Sequence, residues 1–349
     1  MAARTHRSII LETAAVEDNH HLKPYEVRRL FCTPIFHTFS YSEMIVNSLR
    51  LGLPSYFIKR FDIVKWPIAV ETYSITETHL PPAVLQALVN DKRSHQQIQS
   101  LRNIQVGGGH FSPELRLKWN AIFSKRPPRV VPNYGMTEGG CFTVFKYPEE
   151  DRSVGVVGRP IPGVTFRMSD NNEMLFHGRQ VSELCVSSPH TMQHYLGNSE
   201  ETVKAFDKNG WLRTGDIGYR QDGKVFLVDR VKDIIKVNSF QVSPAEIENA
   251  LQALECDIAE SVVVGVERTT INEHPLAFIV RKNPNLSADA VKEHLQKHLS
   301  SYKVAKLEIA FIDKIPLTPS GKAQKWKLQN AAHNFAETAA SRSIAVQQS

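Results

Sequence analysis

Strand-like apolar runs alternate with helix starts through the first half of this chain, and the alternation restricts it to a mixed α/β fold. The phrase Phe31-Cys-Thr-Pro-Ile-Phe-His37 precedes a mostly apolar segment from Ser40 to Leu51, closed by Gly52 and Pro54, which reads as a buried strand, a loop and a buried helix. Pro81 and Pro82 open a helix running through Val89. Leu101 to Val106 reads as a strand that ends in Gly107, Gly108 and Gly109. Ser112, Pro113 and Glu114 then supply an N-cap, a proline at the first helical position and an acid in the first turn.

Further on the pattern becomes richer in strands. Runs at 129–132, 164–168 and 183–187 are strand-like, and Asp222-Gly223 marks a hairpin turn between Gly218-Tyr219 and residues 224–228. A smaller unit follows, with helices starting at Ser243-Pro244-Ala-Glu246 and Ser287, and strands at 261–266, 276–280 and 307–312.

The chain has 349 residues, enough for one large and one small domain, and 42% hydrophobic against 22% charged residues supports a buried core. The net charge of +6 is spread without a basic block or interleaved aromatics, which argues against nucleic acid as a partner and suffices to attract small anionic ligands. Cys32, Cys141, Cys185 and Cys256 are far apart with no CxxC pair, so they read as free thiols of a reducing compartment. No apolar stretch approaches the ~20 residues of a membrane span. Acidic Glu12, Glu17 and Asp18 follow Arg4 and Arg7 too closely for a leader, and Val346 to Ser349 is no peroxisomal address, so the expected compartment is the cytoplasm.

Several phrases stand out chemically. Three lie in the last third, in order: Trp211-Leu-Arg-Thr-Gly-Asp216, Asp229-Arg-Val-Lys-Asp-Ile-Ile-Lys236 and Pro316-Leu-Thr-Pro-Ser-Gly-Lys322. Earlier come Pro34-Ile-Phe-His-Thr-Phe39, Gly107-Gly-Gly109 and Val131-Pro-Asn-Tyr-Gly-Met-Thr-Glu138. Each has a plain reading. A histidine in an apolar run is a satisfied core residue, a glycine triplet a tight turn, a charged run a solvated hairpin, and a lysine near the end a surface group.

Taken together and in register, these phrases resemble the adenylate-forming superfamily, which holds acyl-CoA synthetases, 4-coumarate–CoA ligases, luciferases and the adenylation domains of peptide synthetases. The resemblance implies a partial large adenylating domain over 1–229, a small mobile α+β lid over 230–332 and a disordered tail over 333–349. It implies ATP, Mg2+ and CoA as cofactors and a carboxylic acid as substrate. Asn133, Tyr134, Gly135, Met136 and Thr137 would lie under the nucleotide, with Tyr134 on adenine and Thr137 donating to the α-phosphate. Glu138 would hold Mg2+, a carboxylate being a hard oxygen ligand. Gly107, Gly108 and Gly109 would approach the adenine and acyl group, and His37 would line the acid channel. Asp216 and Arg230 would grip the ribose, and Asp229 or Lys232 would mark the hinge. Lys322 would bridge the carboxylate and phosphate where negative charge builds up, and Lys236 would serve the thiol step.

The sequence departs from the family pattern in places. Gly109 and His110 replace Ala and Pro, Ser182 and His194 replace glycines, and Ser239 replaces a glycine of the pantetheine path. The family's loop Ser/Thr-Gly-Thr-Thr-Gly-Xaa-Pro-Lys-Gly, which cradles phosphates, has no counterpart, while Thr5-His-Arg7 resembles the phrase that follows it. The resemblance therefore implies the second part of a full-length member, with exposed sheet edges or apolar surface for a protein partner to cover. Three functions remain open. One is an acyl-CoA ligase, one an impaired homologue acting as a binding module, and one an adenylating enzyme that loads a carrier protein.

Overall fold

The computed structural model describes residues 1–332 apart from 110, 171–172, 177, 238–239, 255, 270–271 and 319–322. The chain divides into two units, Met1–Leu227 and Val228–Ser349. The alternation in the first unit produces a five-stranded parallel sheet in the order Ser55–Phe57, Arg29–Phe31, Glu77–Leu80, Asn103–Val106, Arg129–Pro132. Every internal strand of it is buried on both faces, as parallel strands are.

The two faces differ in chemistry. Leu30, Leu80, Ile104, Val106 and Val130 point to an apolar side, where they pack against Trp66, Val70, Leu85, Leu88, Leu115 and Trp119 of the helices Lys65–Thr72, Pro82–Asn90 and Pro113–Ala121. Ser112 caps the last of these by accepting from the Leu115 amide at 3.1 Å. The other face begins with Arg29, Glu77, Asn103 and Arg129. These are the first residues of four adjacent strands, and they stand opposite one another in register.

This rung is charged and covered. Arg29, Glu77 and Asn103 are between 2% and 5% exposed. Glu77 accepts from Lys23 at 2.6 Å, from Arg29 at 3.3 Å and from the Tyr25 hydroxyl at 2.9 Å. Arg29 also pairs with Glu43 at 2.7 Å, and Asp18 meets Lys23 at 2.9 Å and Arg129 at 3.6 Å. Asn47 donates to the other oxygen of Glu43, Asn103 adds a bond to Asp18 Oδ2, and the Tyr147 amide donates to Asp18 Oδ1. Three carboxylates thus face three cations. Asp18 and Lys23 come from the segment after the helix His6–Ala15, and Glu43 and Asn47 from the helical stretch over the same face.

That stretch corrects the helix expected from 40 to 51. It is three joined pieces, α at Thr38–Ser40, π at Tyr41–Asn47 and α at Ser48–Leu51, and Leu49 is exposed. The strand Glu77–Leu80 and the helix Lys65–Thr72 have no counterpart in the sequence reading.

Asn133 is the single residue between the parallel sheet and a second, antiparallel one. The order there is Thr165–Met168, Arg179–Ser187, Leu212–Gln221, Lys224–Arg230, Val156–Pro160, Gly140–Val144, Tyr134–Met136, with Met174–Phe176 beside Arg179–Ser187. Asp222 and Gly223 turn the hairpin with φ of 53° and 72°, the conformation that favours this dipeptide. Glu12 reaches over from the first helix to accept from the Cys141 amide at 2.8 Å while pairing with Arg4 at 2.6 Å. All four cysteines are free thiols.

In the second unit Ile258–Thr269, Asn272–Arg281 and Glu308–Phe311 form a mixed sheet, beside the hairpin of Ile235–Val237 and Phe240–Val242. Helices Pro244–Gln252 and Ala288–His298 bury Ile247, Leu251, Val291 and Leu295 against one side of it. The expected tail over 333–349 lies outside the described residues.

Two outcomes test the charged face. Removing the Glu77 carboxylate as Glu77→Ala leaves three buried cations against two carboxylates, and is expected to destabilise the first unit by about 3–5 kcal/mol in urea melts followed by tryptophan fluorescence. His79, one rung up, is held near pKa 4 instead of 6.5 by burial and by the Arg29 charge. Its folded pKa is depressed, so its contribution is full above pH 6.5 and is lost as the pH falls toward 4. Over that window His79→Gln is expected to flatten the pH dependence of stability relative to wild type by up to about 3 kcal/mol. Identical slopes would refute the assignment.

Candidate active site

The carboxyl ends of the parallel strands set out the candidate residues of the first unit along one rim, the usual ligand edge of such sheets. The strand Arg29–Phe31 leads to His37, Asn103–Val106 leads to Gly107, Gly108 and Gly109, and Arg129–Pro132 leads to Asn133 and Tyr134. Leaving a strand end, the chain needs tight turns, and Gly108 takes φ +79° there.

These phrases touch. A Cβ on Gly107 would stand 2.4 Å from Asn133 Oδ1 and 2.7 Å from the Phe39 ring, so glycine allows the turn, the asparagine and the helix start to close together. The Asn133 amide donates to the Val106 carbonyl at 2.9 Å, and its side chain donates to Gln105 Oε1 at 3.1 Å. His37, half-buried, caps the helix Thr38–Ser40, with Nδ1 accepting from the Phe39 amide at 3.2 Å. A neutral ring in that role carries its proton on Nε2.

Tyr134 and Asp216, 82 positions apart, are joined by a bond of 2.6 Å from the phenol hydroxyl to Oδ2. Both are buried. The Tyr134 ring packs against Phe142 and Phe166, with centroids at 5.9 and 6.3 Å, and the Asp216 amide donates to Thr214 Oγ1 at 3.1 Å.

Thr137 and Glu138 occupy the turn between Tyr134–Met136 and Gly140–Val144, closed by the Gly139 amide donating to the Met136 carbonyl at 3.2 Å. Gly135 admits no side chain, since a Cβ would lie 2.3 Å from the Gly140 carbonyl. Thr137 is exposed and Glu138 half-buried. Glu138 Oε1 accepts from the Tyr195 hydroxyl at 2.6 Å, and burial, together with this bond, pushes that phenol up. The remaining carboxylate oxygen is a hard donor that suits a magnesium ion. The sequence reading noted only the glycine replacement at His194 and assigned no role to Tyr195 beside it. It also missed Gln105, which only the strand register reveals.

The second unit carries the other candidates. Arg230 is exposed, and its amide is taken by Asp229 Oδ1 at 2.8 Å. Asp229 Oδ2 accepts from Ser243 Oγ at 2.5 Å and the Ala245 amide at 3.1 Å, fixing the start of the helix Pro244–Gln252. Lys232 and Lys236 are exposed, and the Lys236 amide donates to Glu273 at 2.7 Å. Lys322 lies outside the described residues. The ends of its phrase are closed by a bridge of Leu317 with Ala323 and by the Gln324 amide on the Pro316 carbonyl at 2.8 Å. Lys325, unremarked in the sequence, pairs with Asp233 at 3.4 Å and ties the third phrase to the second.

Comparisons with known proteins identify the family of the chain. The AMP-binding enzyme family model matches residues 1–196, and the AMP-binding enzyme C-terminal domain matches 246–322. The acyl-CoA ligase clz12 of Cochliobolus lunatus is 41% identical over 335 residues, covering 95% of this chain and 96% of that protein. The acyl-CoA ligase M9 of a Phoma species is also 41% identical, over 95% of this chain but 61% of its own length. Among solved structures, ATP-bound MatB from Rhodopseudomonas palustris superimposes with a TM-score of 0.83 at 26% identity, over 95% of this chain and 65% of its own. This chain thus spans nearly all of one relative and under two-thirds of the others. It belongs to the family of AMP-binding, adenylate-forming enzymes.

Proposed function

We propose that the chain is an AMP-forming acid–thiol ligase. A substrate carboxylate attacks the α-phosphate of ATP to give an acyl-adenylate and pyrophosphate, and the CoA thiol then attacks the acyl carbon and releases AMP. The observation that carries this reading is the Tyr134–Asp216 bond of 2.6 Å, which unites two distant phrases beside the strand ends that hold Gly107 and Asn133.

Each residue has a task suited to its chemistry. Asp216, with Arg230, takes the ribose hydroxyls, and Tyr134 orients that carboxylate while bordering the adenine. The backbone of Gly107 to Gly109 lets the nucleoside and acyl group approach closely, and His37 faces the acid. Thr137, exposed in its turn, donates to the α-phosphate. Glu138, steadied by Tyr195, would hold magnesium, whose charge offsets that of the phosphates. Lys322 supplies a point charge to the carboxylate and phosphate during adenylation, and Lys236 serves the thiol step. The similarity to the acyl-CoA ligases clz12 and M9 supports an acyl-CoA product.

Two experiments address this. Acid-dependent pyrophosphate exchange is expected in the wild type and to fall by about 100-fold or more in Lys322→Ala, the scale for losing a group that stabilises developing charge. Absence of both exchange and ATP binding in the wild-type chain would sink the reading, and supplying free CoA or a carrier-bound thiol to preformed acyl-adenylate identifies the acceptor. Tyr134→Phe removes one hydrogen bond to a carboxylate and is expected to raise KM for ATP by about tenfold, with KM for acid and CoA unchanged.

A further inference from the structure

On the outside of the segment that carries Asp18 and Lys23, the side chains of Glu17, His20 and His21 converge, with one ligand atom from each lying within 4.8 Å of the others. We propose that these three residues form a binding site for a transition-metal ion of the zinc class, separate from any magnesium bound with the nucleotide. His20 Nδ1 and Glu17 Oε1 are 3.0 Å apart. Two donors on one tetrahedral ion with bonds of about 2.0–2.2 Å stand about 3.3–3.5 Å apart, so this pair needs little adjustment. The third ligand, His21, is exposed, and its ring meets that of His20 edge-on with centroids 5.7 Å apart.

The backbone beneath the site is held. His20–Leu22 is a 3-10 turn, closed by the Leu22 amide on Asn19 and the Lys23 amide on His20, and the Asn19 side chain donates to the Tyr147 carbonyl at 2.8 Å. Asn19 itself takes φ 44°, so both histidines project from a fixed corner. The carboxylate is oriented as metal ligands usually are. Arg50 holds Glu17 Oε2 at 2.5 Å, leaving Oε1 toward the histidine. An ion between His20 Nδ1 and Glu17 Oε1 takes the place of their hydrogen bond, the ring proton then sitting on Nε2, and Arg50 stays on the other oxygen.

Two imidazoles and one carboxylate favour Zn2+, Co2+ or Ni2+ over Mg2+, which prefers oxygen donors. An ion here would fasten the segment 17–23 from outside, while Asp18 and Lys23 anchor it from inside.

The test is calorimetric titration of the untagged full chain with Zn2+, paired with thermal melts. Wild type is expected to bind one ion that excess Mg2+ does not displace, and to melt at a higher temperature when loaded. His20→Ala, His21→Ala and Glu17→Gln are each expected to weaken binding by more than about tenfold. The double histidine variant is expected to lose the melting shift, while His298→Ala in the helix Ala288–His298 keeps both. The proposal fails if wild type binds no Zn2+, or if the double variant binds it as tightly.

Discussion

Six charges buried on one face of the parallel sheet determine how the first unit can be put together. Arg29, Glu77 and Arg129 begin three of its strands, and Asp18, Lys23 and Glu43 descend on them from the covering segments. Removing such groups from water is costly, and attraction between them offsets the cost only when every oxygen and hydrogen has a partner. Here the partners are present, including Tyr25, Asn47 and Asn103. The arrangement also fixes register. Strands of Val, Ile and Leu would tolerate sliding, but a slip of one residue would drive Glu77 and Arg129 into the apolar layer around Trp66 and Trp119.

The same face connects the buried charges to the candidate site. Above Glu77 and Asn103 stand His79 and Gln105, paired in register. His79 lies 3.3 Å from the Phe39 carbonyl, in the helix that His37 caps, and Gln105 accepts from Asn133. Phe31 and Phe39 enclose the His79 ring, which keeps it neutral. Polar side chains therefore run from the base of the sheet to the rim where Gly107, Asn133 and Tyr134 meet. This stack contacts the rim at Phe39 and Asn133.

Local signals in the sequence were strong where one residue type has one physical use. Ser112-Pro113 caps a helix, Asp222-Gly223 turns a hairpin, and Arg129–Pro132 is a strand with the expected limits. The chemical phrases each had a plain structural reading, and only their order along the chain pointed to a family. What was hidden depends on neighbours distant in sequence. Glu77-Thr-His-Leu80 is buried on both faces, so it shows no alternation, and its charges resemble a loop until Lys23 and Arg29 are placed beside it. Tyr195 matters only once Glu138 lies against it, and Lys325 only once Asp233 does. The π-helical stretch Tyr41–Asn47 breaks the 3.6-residue period on which a helix reading rests.

The balance of the buried charges has a consequence for assembly. Arg29, Glu77, Asn103 and Arg129 are laid down in the sheet in the order in which they occur in the chain. A fragment folded only as far as Asn103 would confine three carboxylates with two cations and carry an uncompensated charge away from water. Omitting Glu77 would leave the opposite excess. With Glu77 and Asn103 in place the excess is negative, so Arg129 on the last strand completes the charge balance of the whole face.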